Sequence, residues 1–177
     1  MRLLYRLSQF WEALVAKPTA SGLALAQSIL YGPLLELFLR LQPSEQAHSL
    51  RIACLLIGQN EDNPDLLAAA LLHDVGKCRF PLRVWERVLI VLGKALFPEQ
   101  ARKWGKGHPY GWRRPFVVAE QHPDWGAEMA AQAGASALTV SLVRNHQEHL
   151  SVHSVSSEPD KTEALLLQRL QRLDNKS

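Results

Sequence analysis

The heptapeptide Leu66-Leu67-Ala68-Ala69-Ala70-Leu71-Leu72 runs without a polar break into His73-Asp74. No other feature of the chain constrains its fold as much. An apolar helix that ends in an adjacent histidine and aspartate carries two polar groups to a buried end. Their desolvation is costly unless something pairs with both. A divalent cation does so, because imidazole nitrogen and carboxylate oxygen are both natural ligands for such ions.

The spacing of the other histidines leads to the same place. His48 and His73 are 25 residues apart, and the turn Asn60-Glu61-Asp62-Asn63-Pro64 lies between them. One leg, His48 to Gln59, is 11 residues long and the other, Pro64 to His73, is 9. At ~1.5 Å of rise per residue the two legs nearly cancel, which returns His73 to the level of His48. His122 and His146 repeat the pattern, 24 residues apart with a break at Gly134-Ala135. Two antiparallel helical hairpins would each deliver two histidines to one end of a bundle. Asp174 follows the apolar series Leu166, Leu167, Leu170 and Leu173, so its helix is expected to pack on that bundle. Spacing alone leaves open whether Asp174 reaches the histidines, since the loop before its helix is long.

The remaining sequence reads as helices divided by short breakers, with no alternating strand pattern, so the fold class is all-α. Leu3, Leu7, Phe10 and Leu14 mark a first amphipathic helix that ends near Lys17-Pro18. An apolar stretch from Leu23 breaks at Gly32-Pro33 and resumes to Leu41. Pro43-Ser44 then starts a helix to about Gln59, with Ser44 as its N-cap. The helix from Pro64 is expected to reach Asp74 and to be ended by Gly76, and another spans Val84 to Leu96. Proline suits the first helical position, so His122-Pro123 is read as opening a helix that Gly134 stops. A partner runs from Ser136 to about His149, Ser151 to Ser157 form a polar loop, and Pro159 begins the last helix. Residues 1–42 are read as an N-terminal helical extension and 43–177 as the domain that carries the histidines.

The order His48, His73-Asp74, His122, His146, Asp174 resembles the H…HD…H…H…D pattern of the HD superfamily of metal-dependent phosphohydrolases. The local contexts Gln46-Ala47-His48-Ser49, Ala70-Leu71-Leu72-His73-Asp74-Val75-Gly76-Lys77 and His122-Pro123-Asp124-Trp125-Gly126-Ala127-Glu128 are similar as well. The resemblance covers about Pro43 to Ser177. It implies an HD-domain helical bundle with extra N-terminal helices and a metal held by His48, His73, Asp74 and Asp174. It also implies a second ion on His122 and His146, with Asp74 as the bridge. Members of the HD-GYP type carry two adjacent histidines in the fourth segment. Asn145-His146-Gln147-Glu148 has one and no Gly-Tyr-Pro follows, so the second site is expected to be more open and cyclic-dinucleotide cleavage is not expected.

The activity implied is hydrolysis of a nucleotide or another small phosphate ester or anhydride by metal-activated water. One or two ions of Mn, Fe, Co, Ni, Zn or Mg would serve. Asp74 and Lys77 are the candidate catalytic residues. Lys77, Arg83, Arg113 and Arg114 are the candidate contacts to substrate phosphates. Charge concentrates where such contacts would be useful: 102–114 carries +5 of a net +3, leaving −2 on the rest. Trp104, Tyr110 and Trp112 interleave with those cations, as in a lid that stacks a base while holding phosphates. Two other readings stand beside the enzyme. One is a regulatory HD module that binds a nucleotide with little turnover, and the other a nucleic-acid-interacting protein that uses the basic loop 102–114.

Cys54 and Cys78 form no CxxC pair, which fits a reducing compartment. The N-terminus lacks the continuous apolar core of a signal peptide. The stretch Leu23 to Leu41 is interrupted by Gln27, Ser28, Gly32, Pro33, Glu36 and Arg40, so no membrane span is expected. A cytoplasmic location follows as the expectation. Homo-oligomerisation through the apolar N-terminal helices is left open.

Overall fold

The computed structural model describes residues 16–148 and 158–175. Among them are nine α-helices and two 3-10 turns, and no strand. In chain order the helices are α1 (Ala20–Ile29), α2 (Gly32–Leu39), α3 (Pro43–Gly58), α4 (Pro64–Leu72), α5 (Val84–Leu96), α6 (Pro98–Trp104), α7 (Arg114–Gln132), α8 (Ala137–Asn145) and α9 (Glu158–Asp174). The 3-10 turns are Val75–Arg79, directly after the His-Asp junction, and Gly111–Arg113. The amphipathic series Leu3 to Leu14 and the polar loop Ser151 to Ser157 lie outside the described residues.

Local signals explain most boundaries. Asn63 accepts from the Leu66 N–H at 3.0 Å and Pro64 takes the first helical position, so α4 starts where the turn chemistry directs. Ser136 caps α8 in the same way, accepting from Thr139 N–H at 3.0 Å. Gly134 sits at φ 88°, a left-handed conformation that ends α7 and that only glycine adopts freely.

Four boundaries differ from the sequence reading. α4 stops at Leu72, with His73 as its C-cap and Asp74 leading into the tighter 3-10 turn. α8 ends at Asn145, with His146 as its C-cap, short of the expected His149. Ser44 is not the N-cap of α3. Gln42 is, its N–H donating to Glu45 at 3.1 Å, while the Ser44 hydroxyl lies inside the helix and accepts from Arg87 at 3.2 Å. Finally, His122-Pro123 does not open a helix. α7 begins eight residues earlier at Arg114, with Pro115 in the first turn, and carries Pro123 in its interior. Both prolines suit a first turn, and the earlier one holds it.

α4 is the centre of the bundle. Leu66, Leu67, Ala69, Ala70, Leu71 and Leu72 are all buried, so the helix is covered on every side. It packs against α1, α2, α3, α8 and α9. Phe38, Ile52, Leu56, Leu142, Leu167 and Leu170 complete one continuous core. Because Ala26, Leu30, Leu37 and Phe38 belong to that core, α1 and α2 are integral to its packing. The arrangement brings the C-terminal ends of α4, α8 and α9 to the middle of α7 and the first half of α3.

Candidate metal centre

That meeting point collects every histidine and aspartate of the expected ligand set. His48 and His73 have ring centroids 5.4 Å apart, and His122 and His146 5.2 Å apart, so each hairpin returns its pair as the leg lengths require. His73 and His146, from different hairpins, are 5.1 Å apart, which joins the two pairs. Asp74 lies between them. Its Oδ2 is 3.6 Å from His73 Nε2 and its Oδ1 is 3.2 Å from His122 Nε2. Asp174, which spacing could not place, arrives from the last turn of α9. Its Oδ1 accepts from His48 Nε2 at 2.9 Å and lies 3.7 Å from His73 Nε2.

The backbone sets the protonation of three rings. His73 Nδ1 is 2.9 Å from Ala70 O, His122 Nδ1 is 3.0 Å from Val118 O, and His146 Nδ1 is 2.7 Å from Val143 O. A carbonyl only accepts, so each Nδ1 carries its proton and, in the neutral ring, each Nε2 presents a lone pair. All three Nε2 atoms are buried and lack a hydrogen-bond partner; the 3.2 Å approach of His122 to Asp74 does not have hydrogen-bond geometry. Three orphaned buried acceptors around one carboxylate are costly in an ordinary core. They fit the donor set of a metal site, where a backbone carbonyl on Nδ1 fixes tautomer and ring orientation. Two groups meet the distance requirement: His48, His73 and Asp74, and Asp74, His122 and His146. Within each, the candidate ligand atoms lie within 4.8 Å of one another. Asp74 belongs to both.

The electrostatics favour an ionised Asp74 and neutral His122 and His146. Burial opposes ionisation of Asp74, but Lys77, His73 and His122 outweigh it and hold the carboxyl well below its usual range. Burial lowers the pKa of His122, and burial with the neighbouring His73 and His122 pushes His146 down to about 3. For Asp174, burial is likewise outweighed by the His48 hydrogen bond and by His73, and its pKa is lowered to about 2. Ionised carboxylates and neutral imidazoles are the states that bind a cation.

Beside the cluster is a cavity of about 200 Å³, with Lys77, Glu45, Arg87, Lys94, His122 and Gln147 among its lining residues. Lys77 Nζ donates to Asp74 Oδ2 at 2.6 Å. Burial disfavours the lysine charge, but Asp74 and Glu45 outweigh it and raise its pKa. A second cavity of about 450 Å³ shares Lys94 and Gln147 with the first and adds Arg102 and Arg144. Of the candidate phosphate contacts, only Lys77 is at the cluster. Arg83 is the exposed N-cap of α5. Arg113 lies over the Trp112 ring at 5.3 Å. Arg114 bonds Glu86 and the Pro81 carbonyl, tying the start of α7 to α5. None of these three lines either cavity.

Two cations in the wall of the first cavity lie outside the sequence candidates, Lys94 and Arg87, the latter one turn beyond Arg83. Arg87 reaches Glu45 at 2.8 Å and Gln42 at 2.5 Å. Arg87 and Lys94 are seven residues apart and so share one side of α5, a signal that was available in the sequence. Trp104 is not an open stacking platform, since it packs on Phe97, Trp112 and Phe116.

The family model described as HD domain matches residues 46–176. No curated protein and no solved structure matches the chain.

Proposed function

Since the chain belongs to the HD-domain family, we propose that it is a metal-dependent phosphohydrolase acting on a nucleotide or another small phosphate ester or anhydride. The observation that carries this reading is the ring of three buried, partnerless Nε2 atoms around Asp74. His48, His73, Asp74 and Asp174 would hold one divalent ion, and His122 and His146, sharing Asp74, a second. Such an ion lowers the pKa of water toward neutrality and offsets charge on phosphoryl oxygens.

The chain's own residues supply the rest. Lys77 stands in the cavity wall as a fixed positive charge beside Asp74, suited to a substrate phosphoryl oxygen. The Ala70, Val118 and Val143 carbonyls keep three rings in the ligating tautomer. Glu45, buried between Arg87 and Lys77, holds the cationic wall in place. The adjoining larger cavity, lined by Lys94, Arg102 and Arg144 and equally by Glu120, Asp124 and Glu148, gives the non-reacting part of a substrate room. Nucleotides fit this better than inorganic phosphate alone.

The test is metal analysis of the purified chain together with hydrolysis of a panel of nucleotides and sugar phosphates in added Mn. The expected result is bound metal and turnover, both lost in Asp74→Ala. Undiminished hydrolysis in Asp74→Ala would overturn the reading. Metal retained with no turnover on any phosphate would favour a regulatory module instead.

A further inference from the structure

We propose that the outward face of α5, with the aromatic turn beside it, docks on the surface of an anionic lipid membrane. This inference stands apart from the phosphohydrolase reading. The inner face of α5 is settled by packing: Glu86 and Gly93 are buried. A Cβ on Gly93 would come within 2.4 Å of the Phe116 ring, so the helix is seated closely on α7. The opposite face is where polar side chains belong on a water-facing helix. It carries Val84, Trp85, Val88, Val91, Leu92 and Leu96 instead, at the helical spacings of one stripe, and all are exposed. Trp85 is 54% exposed and Leu96 66%. Phe97 continues the stripe at the end of the helix, and Tyr110 and Trp112 are exposed as well. Trp112 is anchored against Trp104, 5.2 Å between centroids, so the platform is built and not loose. A continuous apolar stripe on a helix in this setting marks an interaction surface.

The charge around the stripe identifies its occupant. From Arg83 to Arg114 there are eight lysines and arginines against two acids, Glu86 and Glu99. Both acids are taken, by Arg114 and Arg102 respectively. Arg83, Lys94, Lys103, Lys106 and Arg113 are exposed along the same segment. A second copy related by a two-fold axis would set these cations against their own kind. An anionic lipid surface complements them, and apolar side chains with tryptophan and tyrosine between cations are the composition of an interfacial helix. The helix lies on such a surface and does not cross it: among the described residues no helix is long and apolar enough to span. Val91 and Lys94 also line the cavity beside the histidine cluster, so docking sets that cavity next to lipid headgroups.

Cosedimentation of the full chain with phosphatidylserine–phosphatidylcholine vesicles and with phosphatidylcholine vesicles tests this. The expected result is binding to the anionic vesicles, weakened by salt. Trp85→Ser with Leu92→Gln and Leu96→Gln should abolish it, and these exposed changes should leave the helical circular dichroism and melting temperature intact. Lys103→Gln with Lys106→Gln should weaken binding by about 25-fold, since each cation near such a surface counts for about fivefold. No binding to anionic vesicles, or equal binding by the Trp85 triple variant, would overturn the proposal. So would a dimer that the triple variant dissociates, or capture of an oligonucleotide, without vesicle binding.

Discussion

Gly76 sits where two backbones nearly touch. A Cβ built there would lie 1.9 Å from the His122 carbonyl oxygen and 2.7 Å from Gly126 N. Gly76 is not among the positive-φ glycines, so alanine suits its backbone and the effect of Gly76→Ala is steric alone. Real Cβ contacts begin near 3.0 Å, and the obstacle is helical backbone, so α7 must retreat by about 1 Å. Overpacking of this kind costs about 1–3 kcal/mol, and rigid backbone on both sides puts Gly76→Ala at the upper end, about 3 kcal/mol. The retreat also carries His122 away from Asp74 and His146, and a misplacement of ~1 Å in a reacting constellation costs on the order of 100-fold in rate. Gly126 faces the same contact from the other side and provides the control. Its Cβ would meet Gly76 N at 3.1 Å and Val143 Cγ1 at 3.4 Å, a mild crowding. The gain in helix propensity, about 1 kcal/mol, offsets it. Urea denaturation of the two variants, with metal content measured in parallel, should show Gly76→Ala with a lowered midpoint and reduced metal, and Gly126→Ala close to the parent. A Gly76→Ala protein with unchanged midpoint and metal would refute the steric account.

Arg87→Ala removes the partner of buried Glu45 and should cost about 3 kcal/mol in denaturant unfolding, with a part recovered in the double variant with Glu45→Gln. An additive double variant would show that the pair is not coupled. Lys77→Met should keep metal content while lowering kcat/KM by about 100-fold on any phosphate substrate found. Loss of metal with unchanged kcat/KM per bound ion would contradict a phosphate role. The metal-stripped protein should lose stability well above the carboxylate range. Burial holds His146 down to about 3, whereas an unfolded-chain histidine titrates near 6.5. The unfolded state therefore binds more protons between those values, so stability is complete above about pH 6.5 and falls as pH falls, by up to about 1.4 kcal/mol per unit for each such histidine. His122, lowered by burial, adds in the same direction. A urea midpoint that is flat between pH 7.5 and 5 would contradict this.

Much of the site was legible because it rests on helical arithmetic. Leg lengths on either side of a turn place His48 beside His73 and His122 beside His146 without knowledge of packing. Asp174 was a different matter. It depends on where a loop delivers α9, and only the fold shows its carboxylate 2.9 Å from His48. The start of α7 was misread because Pro123 has the chemistry of a first-turn proline, and nothing local says that Pro115 already fills that role. The lining of the cavity beside the cluster was hidden for a similar reason. Basic density points to Arg113 and Arg114, whereas the direction in which α5 faces puts Arg87 and Lys94 in the wall of that cavity. From its sequence position alone Gly76 has the look of a helix stop. Its place against the His122 carbonyl involves residues 46 apart in the chain, which no local pattern records.

The central claim is that the six side chains form one cation-binding centre. Anomalous diffraction from crystals of the chain grown with Mn tests it most directly. The expected result is a peak among His48, His73, Asp74 and Asp174, with any second peak between Asp74, His122 and His146. A Mn-soaked crystal with no anomalous density there, and the three Nε2 atoms bonded to water instead, would contradict it.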